Sequence, residues 1–318
     1  MADAFDQHLI GSAPAFLTAV RTAKLAAATD VAVMIHGETG TGKEVLARAV
    51  HEASGRAAGP FVSVNCAALP AELAEAELFG HRKGAFTGAV ADRPGFVGAA
   101  RGGTLFLDEV GELSPAVQGK LLRFLEAGEY RPVGDTAEHH GDCRVVAATN
   151  RDLRAEVRAG RFREDLFYRL EVVPVALPPL RQRSGDIRTL LDRFMAHLAA
   201  DHGVTPPAFT KAARQRLAQH AWPGNVRELR NLCERLVILL PGQTIDVANL
   251  PPEIGGGQAN SEAEFVLPDE GVRLDAVEAD LIRQALAKTA GNRSRAARLL
   301  GLTRDTLLYR IKKYALDR

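Results

Sequence analysis

The segment with the sequence GETGTGKE, residues 37–44, constrains the fold of this chain more than any other feature. It lies between an apolar, β-branched run at 31–37 and a helical pattern at 44–53, which predict a strand and a helix. A glycine-rich turn in this setting points successive backbone N–H groups inward, and the helix N-terminus behind it attracts phosphate groups. Lys43 adds a positive charge for the β- and γ-phosphates of a nucleotide. The predicted ATP-binding residues are Gly37, Glu38, Thr39, Gly40, Thr41, Gly42, Lys43 and Glu44.

One position of this segment departs from the strict phosphate-loop pattern. The pattern ends in Ser or Thr, whose hydroxyl contacts a magnesium ion, whereas this chain has Glu44 there. A glutamate would have to reach the metal differently, for instance through a water molecule. The alternative interpretation of the segment is a glycine-rich turn from strand to helix that binds no ligand.

Acidic residues after a second apolar run favour the nucleotide-binding interpretation. The run TLFLDEV at 104–110 places Asp108 and Glu109 at a strand end, where a buried carboxylate is costly without a partner. Asp108 is predicted to bind Mg²⁺ and Glu109 to polarise the attacking water. Taken alone, the pair could instead cap the following helix. Thr149 and Asn150 end another predicted strand at the same sheet edge, where they would sense the γ-phosphate or position water, or else form a polar turn.

The order of the predicted elements indicates an α/β core followed by helices. Apolar runs at 61–65 and 143–150 join the two already named, and helical patterns between them predict a parallel sheet covered on both faces. From residue 176 onwards the patterns are helical, apart from a Gly- and Pro-rich stretch without periodicity. The predicted domains are an α/β ATPase core at 1–175, a helical lid at 176–252, a flexible linker at 253–272 and an all-α helix-turn-helix domain at 273–318.

The charge distribution points to nucleic acid as a partner of the last segment. The whole chain has a net charge of +1, but residues 273–318 carry 11 basic and 5 acidic residues, a net charge of +6. Gly301 supplies a tight turn between two helical patterns, and Thr303 is a suitable N-cap for the last helix. A three-helix structural domain with a solvated basic face is the alternative. The residues predicted to face DNA are Arg304, Thr306, Tyr309, Arg310 and Lys313.

Composition argues against several other classes of protein. Hydrophobic residues make up 46% and charged residues 25% of the chain, as in ordinary globular proteins. No apolar stretch approaches the roughly 18 residues of a membrane span, and the N-terminal residues lack the basic and apolar regions of a secretory signal. The three cysteines are far apart and form neither a metal-binding pattern nor a disulfide framework. The sequence therefore predicts a cytoplasmic protein without a membrane partner.

The sequence ELFGHRKGAFTGA at 77–89 resembles that of the AAA+ activators of sigma-54 RNA polymerase, the bacterial enhancer-binding proteins. Two glycines flanking Phe-Thr describe a flexible hairpin that presents an aromatic side chain to solvent, or a turn whose Phe folds back into the core. The resemblance covers nearly the whole chain and implies that Phe86 and Thr87 contact sigma-54. The residues that match the signature loop of the family are Gly84, Ala85, Phe86, Thr87, Gly88 and Ala89.

The resemblance also implies roles for residues outside the phosphate loop. In this view Asn65 holds Glu109 and relays the nucleotide state to the signature loop. Arg163 and Arg169 would reach the ATP of a neighbouring subunit, where an arginine stabilises charge on the transferred phosphoryl group. Arg227 of the lid would contact phosphate in its own subunit. The residues alone also allow surface ion pairs for Arg163 and an ordinary helix-surface position for Arg227.

The resemblance implies a complete mechanism. A dimer would bind enhancer DNA through a Fis-type helix-turn-helix, assemble into a closed ring, expected to be a hexamer, and hydrolyse ATP with Mg²⁺ to remodel the closed complex of sigma-54 RNA polymerase holoenzyme into the open complex. Gly98 departs from the family, since many relatives carry an acidic residue near it, which leaves the coupling of hydrolysis to loop movement open.

The sequence leaves alternatives for how the protein is controlled and for what it does. The sequence has no receiver domain before the ATPase core, which implies control by a partner protein, by abundance or by a sensory domain outside the sequence. Two rival functions remain: another AAA+ remodelling ATPase, such as a helicase loader or protein unfoldase, and a DNA-binding repressor with an idle ATPase fold.

Overall fold

The computed structural model describes residues 4–70, 72–255, 274–289, 291–314 and 316. The chain divides into two compact units, residues 1–257 and 258–318. Residues 256–272 of the predicted linker lie outside the described residues. Residues 253–255, also predicted as linker, instead belong to a short helix whose Ile254 is buried in the core of the lid.

The first unit combines an α/β core with a helical lid. Its strands are β1 (Val33–His36), β2 (Phe61–Asn65), β3 (Thr104–Asp108), β4 (Glu129–Tyr130), β5 (His139–His140), β6 (Arg144–Thr149), β7 (Val173–Ala176), β8 (Ala208–Phe209) and β9 (Thr244–Ile245). Its helices are α1 (Ala4–His8), α2 (Pro14–Ala27), α3 (Lys43–Glu52), α4 (Ala74–Phe79), α5 (Gly95–Ala99), α6 (Pro115–Ala127), α7 (Leu153–Arg158), α8 (Glu164–Leu170), α9 (Ile187–Asp201), α10 (Lys211–Gln219), α11 (Asn225–Leu239) and α12 (Pro252–Gly255). Short 3-10 helices follow β2 and β3 and precede α9 and α12.

The central sheet has five parallel strands in the order β2-β3-β6-β1-β7. This confirms the predicted doubly covered α/β fold, and the four predicted strands lie within two residues of their expected ends. The short edge strand β7 was not predicted. Because all five strands run in the same direction, β1, β3 and β6 end at one edge of the sheet.

Alternate residues of each central strand point to opposite faces and pack into two separate cores. Ile35 and Phe106 pack with helices α2 and α3 on one face. Met34, Leu105 and Leu107 pack with α4, α6 and α8 on the other face. This alternation explains why the strands are apolar throughout rather than at every second position.

The lid consists of α9 to α12 around a buried indole. Trp222 is fully buried, and its Nε1 donates to the Leu217 carbonyl at 3.0 Å. The lid also contains a two-stranded parallel pair, β8 and β9, which the sequence pattern did not reveal. This pair fixes the segment before α10 against the segment after α11.

The described residues of the second unit form three helices: α13 (Leu274–Lys288), α14 (Arg293–Leu299) and α15 (Arg304–Lys313). Ile282, Ala296 and Leu307 are buried and form its core. Gly301 has a φ of +64°, and the Thr303 hydroxyl accepts a hydrogen bond from Thr306 N, as the predicted turn and cap require. None of the described helices in either unit is long and apolar enough to cross a membrane.

Candidate active site

The phosphate loop connects β1 to α3 and is held against the neighbouring strand. Gly37 N donates to the Thr149 carbonyl of β6 at 3.2 Å. Gly40 and Gly42 have φ values of +80° and +103°, which side-chain-bearing residues rarely adopt, so both glycines are required by the backbone. Thr41 is buried, and its hydroxyl donates to the Glu38 carbonyl at 2.8 Å.

Lys43 is the buried cation of this loop. Its ammonium Nζ lies 3.0 Å from the Gly37 carbonyl and 3.4 Å from Glu109 Oε1, and its side chain is only 6% exposed. A buried ammonium is stabilised only when oxygen atoms surround it, and phosphate oxygens can replace those seen here. Glu44, the departure from the strict pattern, is exposed and lies 3.9 Å from Arg48.

Asp108 and Glu109 follow β3 at the same sheet edge as Lys43. Burial raises the pKa of the Asp108 carboxyl, and the nearby Lys43 charge opposes this rise only partly. A carboxylate in this situation gains from a divalent cation beside it, so Asp108 fits the predicted Mg²⁺ ligand. Glu109 has a φ of +53°, and its Oε2 accepts a hydrogen bond from Asn150 N at 3.1 Å. The turn thus directs the Glu109 carboxylate back over the sheet edge.

Of the three predicted nucleotide sensors, the structure brings two into the site. Asn150 Nδ2 donates to the Thr39 hydroxyl of the phosphate loop at 3.1 Å. Thr149 is buried at the end of β6, where its hydroxyl accepts from Arg151 N. Asn65 is exposed, and its Oδ1 caps the next turn by accepting from Ala67 N at 3.0 Å. The contact expected between Asn65 and Glu109 is replaced here by the contacts of Glu109 with Lys43 and Asn150.

The lid touches the phosphate loop directly. Arg227 N donates to the Gly40 carbonyl at 3.2 Å, and Asn225 Nδ2 donates to the Thr39 carbonyl at 3.0 Å. A Cβ built on Gly40 would lie 2.3 Å from the Gly224 carbonyl, so the two backbones are in close contact. The exposed Arg227 side chain and Thr39 line a cavity of about 530 Å³ together with other residues of α11 and α12.

Sequence analysis missed an ion pair that links this loop to the lid. Arg181 donates to both carboxylate oxygens of Glu38, at 2.8 and 2.5 Å, and Asn225 donates to one of them. These contacts, Arg181 foremost, lower the pKa of Glu38 to about 2. No local pattern indicates the pair, because the two residues are 143 positions apart in the chain.

The two predicted arginine fingers bond to groups outside the phosphate loop within this chain. Arg163 is exposed and forms a two-point ion pair with Asp165, at 3.0 and 2.7 Å, in the manner that the local sequence allowed. Arg169 donates twice to the Leu125 carbonyl near the C-terminal end of α6, at 3.0 and 2.7 Å. Neither contact involves a residue of the nucleotide site in the same subunit.

The signature loop at 84–89 is a compact turn in this structure. Gly84 N donates to the Ala89 carbonyl at 2.8 Å, and Thr87 is exposed. Phe86 is not fully presented to solvent as expected: it is half-buried and packs edge-on against the His81 ring, with centroids 5.0 Å apart. An aromatic ring without an external partner lowers its free energy by covering one face in this way.

Gly98 lies in α5, close to the residues that precede that helix. A Cβ built there would lie 2.9 Å from Pro94 Cβ and 3.4 Å from the Tyr130 hydroxyl. A larger residue would therefore require Pro94 to move.

The predicted DNA-contact residues lie on α15, but they differ in how exposed they are and in whether they bond to other residues of the unit. Arg304, Tyr309 and Lys313 are exposed, and Tyr309 has 70% of its surface accessible. Arg310 instead forms a partly buried ion pair with Glu278 of α13. The Thr306 hydroxyl bonds to that of Thr303 at 2.7 Å, so Thr306 also serves the helix start.

Comparison with known families agrees with this architecture over most of the chain. Residues 9–176 match the sigma-54 interaction domain, residues 181–265 the AAA+ ATPase lid domain, and residues 273–314 the bacterial regulatory proteins of the Fis family. The three matches follow one another in the order of the α/β core, the lid and the three-helix unit.

Similar proteins are transcriptional regulators. The transcriptional regulatory protein ZraR of Salmonella typhimurium is 46% identical over 305 residues, which cover 96% of this chain and 68% of ZraR. The alginate biosynthesis regulator AlgB of Pseudomonas aeruginosa is 45% identical, covering 99% of this chain and 68% of its own. The crystal structure of NtrX from Brucella abortus in complex with ATP is 36% identical and superposes with a TM-score of 0.74, over 96% of this chain and 69% of NtrX.

Proposed function

Because this chain belongs to the family of sigma-54-dependent transcription activators, we propose that it couples ATP hydrolysis to remodelling of the sigma-54 RNA polymerase closed complex. The observation that carries the proposal is the meeting of Lys43, Asp108 and Glu109 at one sheet edge, under a lid that contacts the phosphate loop. The same chain carries the 84–89 loop and a DNA-binding unit of the Fis family.

The hydrolysis step follows from the polar groups at this edge. The Lys43 ammonium would exchange its contact with Glu109 for the phosphate oxygens of ATP, which frees the Glu109 carboxylate. Glu109 then accepts a proton from water as the water oxygen attacks the γ-phosphorus and the bond to the bridging oxygen breaks. Asp108 would hold Mg²⁺, which, when bound, neutralises charge on the phosphate oxygens. Thr149 and Asn150, which both bond to the phosphate loop, would sense loss of the γ-phosphate.

We place Phe86 and Thr87 at the polymerase contact. Thr87 is exposed, and the half-buried Phe86 packs on the His81 ring, a contact that it could leave when a partner offers a better apolar surface. Under this proposal the nucleotide state determines whether the loop is raised towards sigma-54.

Assembly and DNA binding complete the proposal. Arg163 and Arg169 would complete the site of a neighbouring subunit in a closed ring, a hexamer built from dimers, whereas in this chain they bond to Asp165 and to the Leu125 carbonyl. Double-stranded enhancer DNA would be bound through α15. The division into an ATPase core at 1–175, a lid at 176–252, a linker at 253–272 and a DNA-binding domain at 273–318 belongs to this proposal.

Single-round transcription from a sigma-54 promoter with purified holoenzyme tests the proposal. Transcripts are expected with ATP but not with a non-hydrolysable analogue, and Phe86→Ala should abolish them while ATP hydrolysis continues. Phe5→Ala is unsuitable as a control because Phe5 is fully buried. Val90→Ala, at an 82% exposed position just beyond the loop, is the matched control and should keep activity.

Two other outcomes would favour the rival functions. ATP hydrolysis and enhancer binding without transcripts would favour another AAA+ remodelling target, whereas full activation by Phe86→Ala would only remove Phe86 from the polymerase contact. Absence of ATP hydrolysis at high protein concentration with DNA present would favour a DNA-binding repressor with an idle ATPase fold.

A further inference from the structure

The stem of the 84–89 loop is joined to a second turn, formed by residues 131–138 between β4 and β5. The two legs of the stem pair through His81 and Arg93, whose backbones exchange hydrogen bonds of 3.0 and 2.9 Å. Arg82 N donates to the Val133 carbonyl of the 131–138 turn at 3.0 Å. A Cβ built on Gly134 would lie 2.7 Å from Ala85 Cβ, so the turn lies directly against the loop.

One side chain connects all three segments. Arg82 Nε donates to Asp135 Oδ2 of the 131–138 turn at 2.6 Å, and its Nη1 donates to Asp92 Oδ2 of the opposite leg at 2.7 Å. The other oxygen of Asp92 accepts from Lys83 N at 2.7 Å. We use the name Arg82 clasp for the guanidinium of Arg82 with the carboxylates of Asp92 and Asp135.

The Asp135 end of the clasp is fixed by its own turn. Its side chain is 10% exposed, Oδ1 accepts from Ala137 N at 3.0 Å, and Oδ2 lies 3.0 Å from His139 Nε2. The Ala137 amide, His139 and Arg82 together hold the pKa of Asp135 well below its usual range. Asp92 has a lowered pKa because of Lys83 N and Arg82. Both carboxylates are therefore charged at neutral pH, and the guanidinium has two anionic partners.

We propose that Arg82 is a positioning residue, whose guanidinium transmits the position of the 131–138 turn to the sigma-54 contact loop. The inference rests on the proposed function of that loop. The turn follows α6 and β4 and returns through β5 to β6, the strand that ends at Thr149 beside the phosphate loop. A shift of β6 with the nucleotide state reaches the stem through Arg82, because its side chain bonds to both the turn and the far leg.

The clasp also determines whether Phe86 stays on His81. His81 and Arg82 are consecutive, so a stem released from Asp135 and Asp92 loses the support that keeps the His81 ring under Phe86. Arg82 and Asp92 are half-exposed, so salt screens their attraction, and the clasp is also expected to loosen at high ionic strength.

Fluorescence quenching measures the loop position without polymerase. The chain has a single tryptophan, Trp222, which is fully buried, so in a Phe86→Trp background acrylamide reports chiefly on the introduced indole. Arg82→Met in that background should raise the quenching constant roughly twofold, as expected when a locally held segment opens. Arg82→Lys should give an intermediate value. Arg131→Met is the control, since Arg131 pairs with Glu138 within the same turn, at 2.9 Å.

Activity measurements in the natural Phe86 background complete the test. Arg82→Met and Asp135→Asn should each keep ATP hydrolysis but lower sigma-54-dependent transcription roughly 10- to 100-fold, the usual cost of a misplaced contact group. The double variant should lose no more than either single variant, because both remove the same connection.

The possible outcomes separate the clasp from the function of the loop. Equal quenching in Arg82→Met and its parent, or multiplicative losses in the double variant, would overturn the clasp. If the natural protein fails to activate transcription while Arg82→Met still changes the quenching, the polymerase function fails and the positioning of the loop by Arg82 stands.

Discussion

At the scale of single residues, three described positions other than glycine have a positive φ, two at the nucleotide site and one, Trp222, in the core of the lid. Glu109, Trp222 and Asn225 have φ values of +53°, +53° and +51°. Such backbone conformations are uncommon outside glycine and persist only where surrounding contacts hold them. Glu109 is held by Lys43 and by Asn150 N, and Asn225 by Leu180 N and the Thr39 carbonyl.

Glu109→Gln tests the assignment of Glu109 as the general base. The amide keeps the shape of the side chain but cannot take a proton from water, so turnover should fall roughly 100- to 10,000-fold while ATP still binds. Glu112→Gln, on the turn that follows, is the control, because Glu112 pairs with Arg151 and does not contact Lys43 in the structure. Steady-state ATP hydrolysis and equilibrium binding of a fluorescent ATP analogue measure the two effects. Normal turnover in Glu109→Gln would remove Glu109 from this role.

At the scale of elements, the ion pair between Glu38 of the phosphate loop and Arg181 of the lid is a feature of the site that the sequence did not predict. Arg181→Met should raise the KM for ATP about 2- to 10-fold with little change in kcat, because Glu38 loses its partner and the loop must be ordered by the nucleotide. Arg214→Met removes another half-exposed lid ion pair, with Asp192 at 2.8 Å, and should leave KM unchanged. Equal KM values for the two variants would refute a role for Arg181 in ordering the loop.

The same ion pair predicts a dependence of stability on pH. The folded-state pKa of Glu38 is lowered from 4.5 to about 2, so its contribution to stability is present above pH 4.5 and is lost as the pH falls towards 2. For a half-exposed pair the contribution should be small, roughly 1 kcal/mol or less. The Tm difference between the natural protein and Arg181→Met should therefore narrow below pH 4.5. A difference that stays constant down to pH 3 would contradict this account.

Helix α15 separates residues available to DNA from residues that hold the unit together. Arg304→Ala should weaken binding of enhancer DNA and reduce the slope of log K against log salt by about 1, because one phosphate contact is lost. Arg310→Ala should instead lower the Tm of the DNA-binding unit, since Glu278 would remain partly buried without its partner. Salt titrations of DNA binding and thermal unfolding check both. A changed salt slope with unchanged Tm for Arg310→Ala would reverse the two assignments.

The elements were predictable where one local rule determined the structure. The phosphate loop and four strands were visible because β-branched runs and glycine spacing act over a few residues. Strand β7, with the sequence VPVA, was missed because a proline usually argues against a strand. The Glu38–Arg181 pair, the Arg82 clasp and the Arg310–Glu278 pair join distant segments, so only the folded chain shows them.

At the scale of the whole molecule, completion of the ATP site by a second subunit can be tested by mixing. Arg163→Ala subunits keep an intact phosphate loop, and Lys43→Ala subunits keep an intact Arg163. Each variant alone should be nearly inactive, whereas a mixture should recover part of the ATP hydrolysis, since some interfaces then contain both groups. Arg161→Ala is the control, because Arg161 pairs with Glu156 in the same segment. No recovery in mixtures that form rings would indicate that Arg163 does not act across the interface.

The contact between Gly40 and the lid limits which amino acids can occupy this position of the phosphate loop. Its position is usually explained by the phosphates alone, yet here the Gly224 carbonyl of the lid occupies the space that a methyl group would need. The methyl group of an alanine at this position would clash with the Gly224 carbonyl and push the lid away from the loop, even without bound nucleotide. Gly40 is therefore required for two separate reasons: its φ of +80° disfavours a side chain, and the Gly224 carbonyl leaves no space for one. A change elsewhere that removed only one of these constraints would still not permit a side chain at this position.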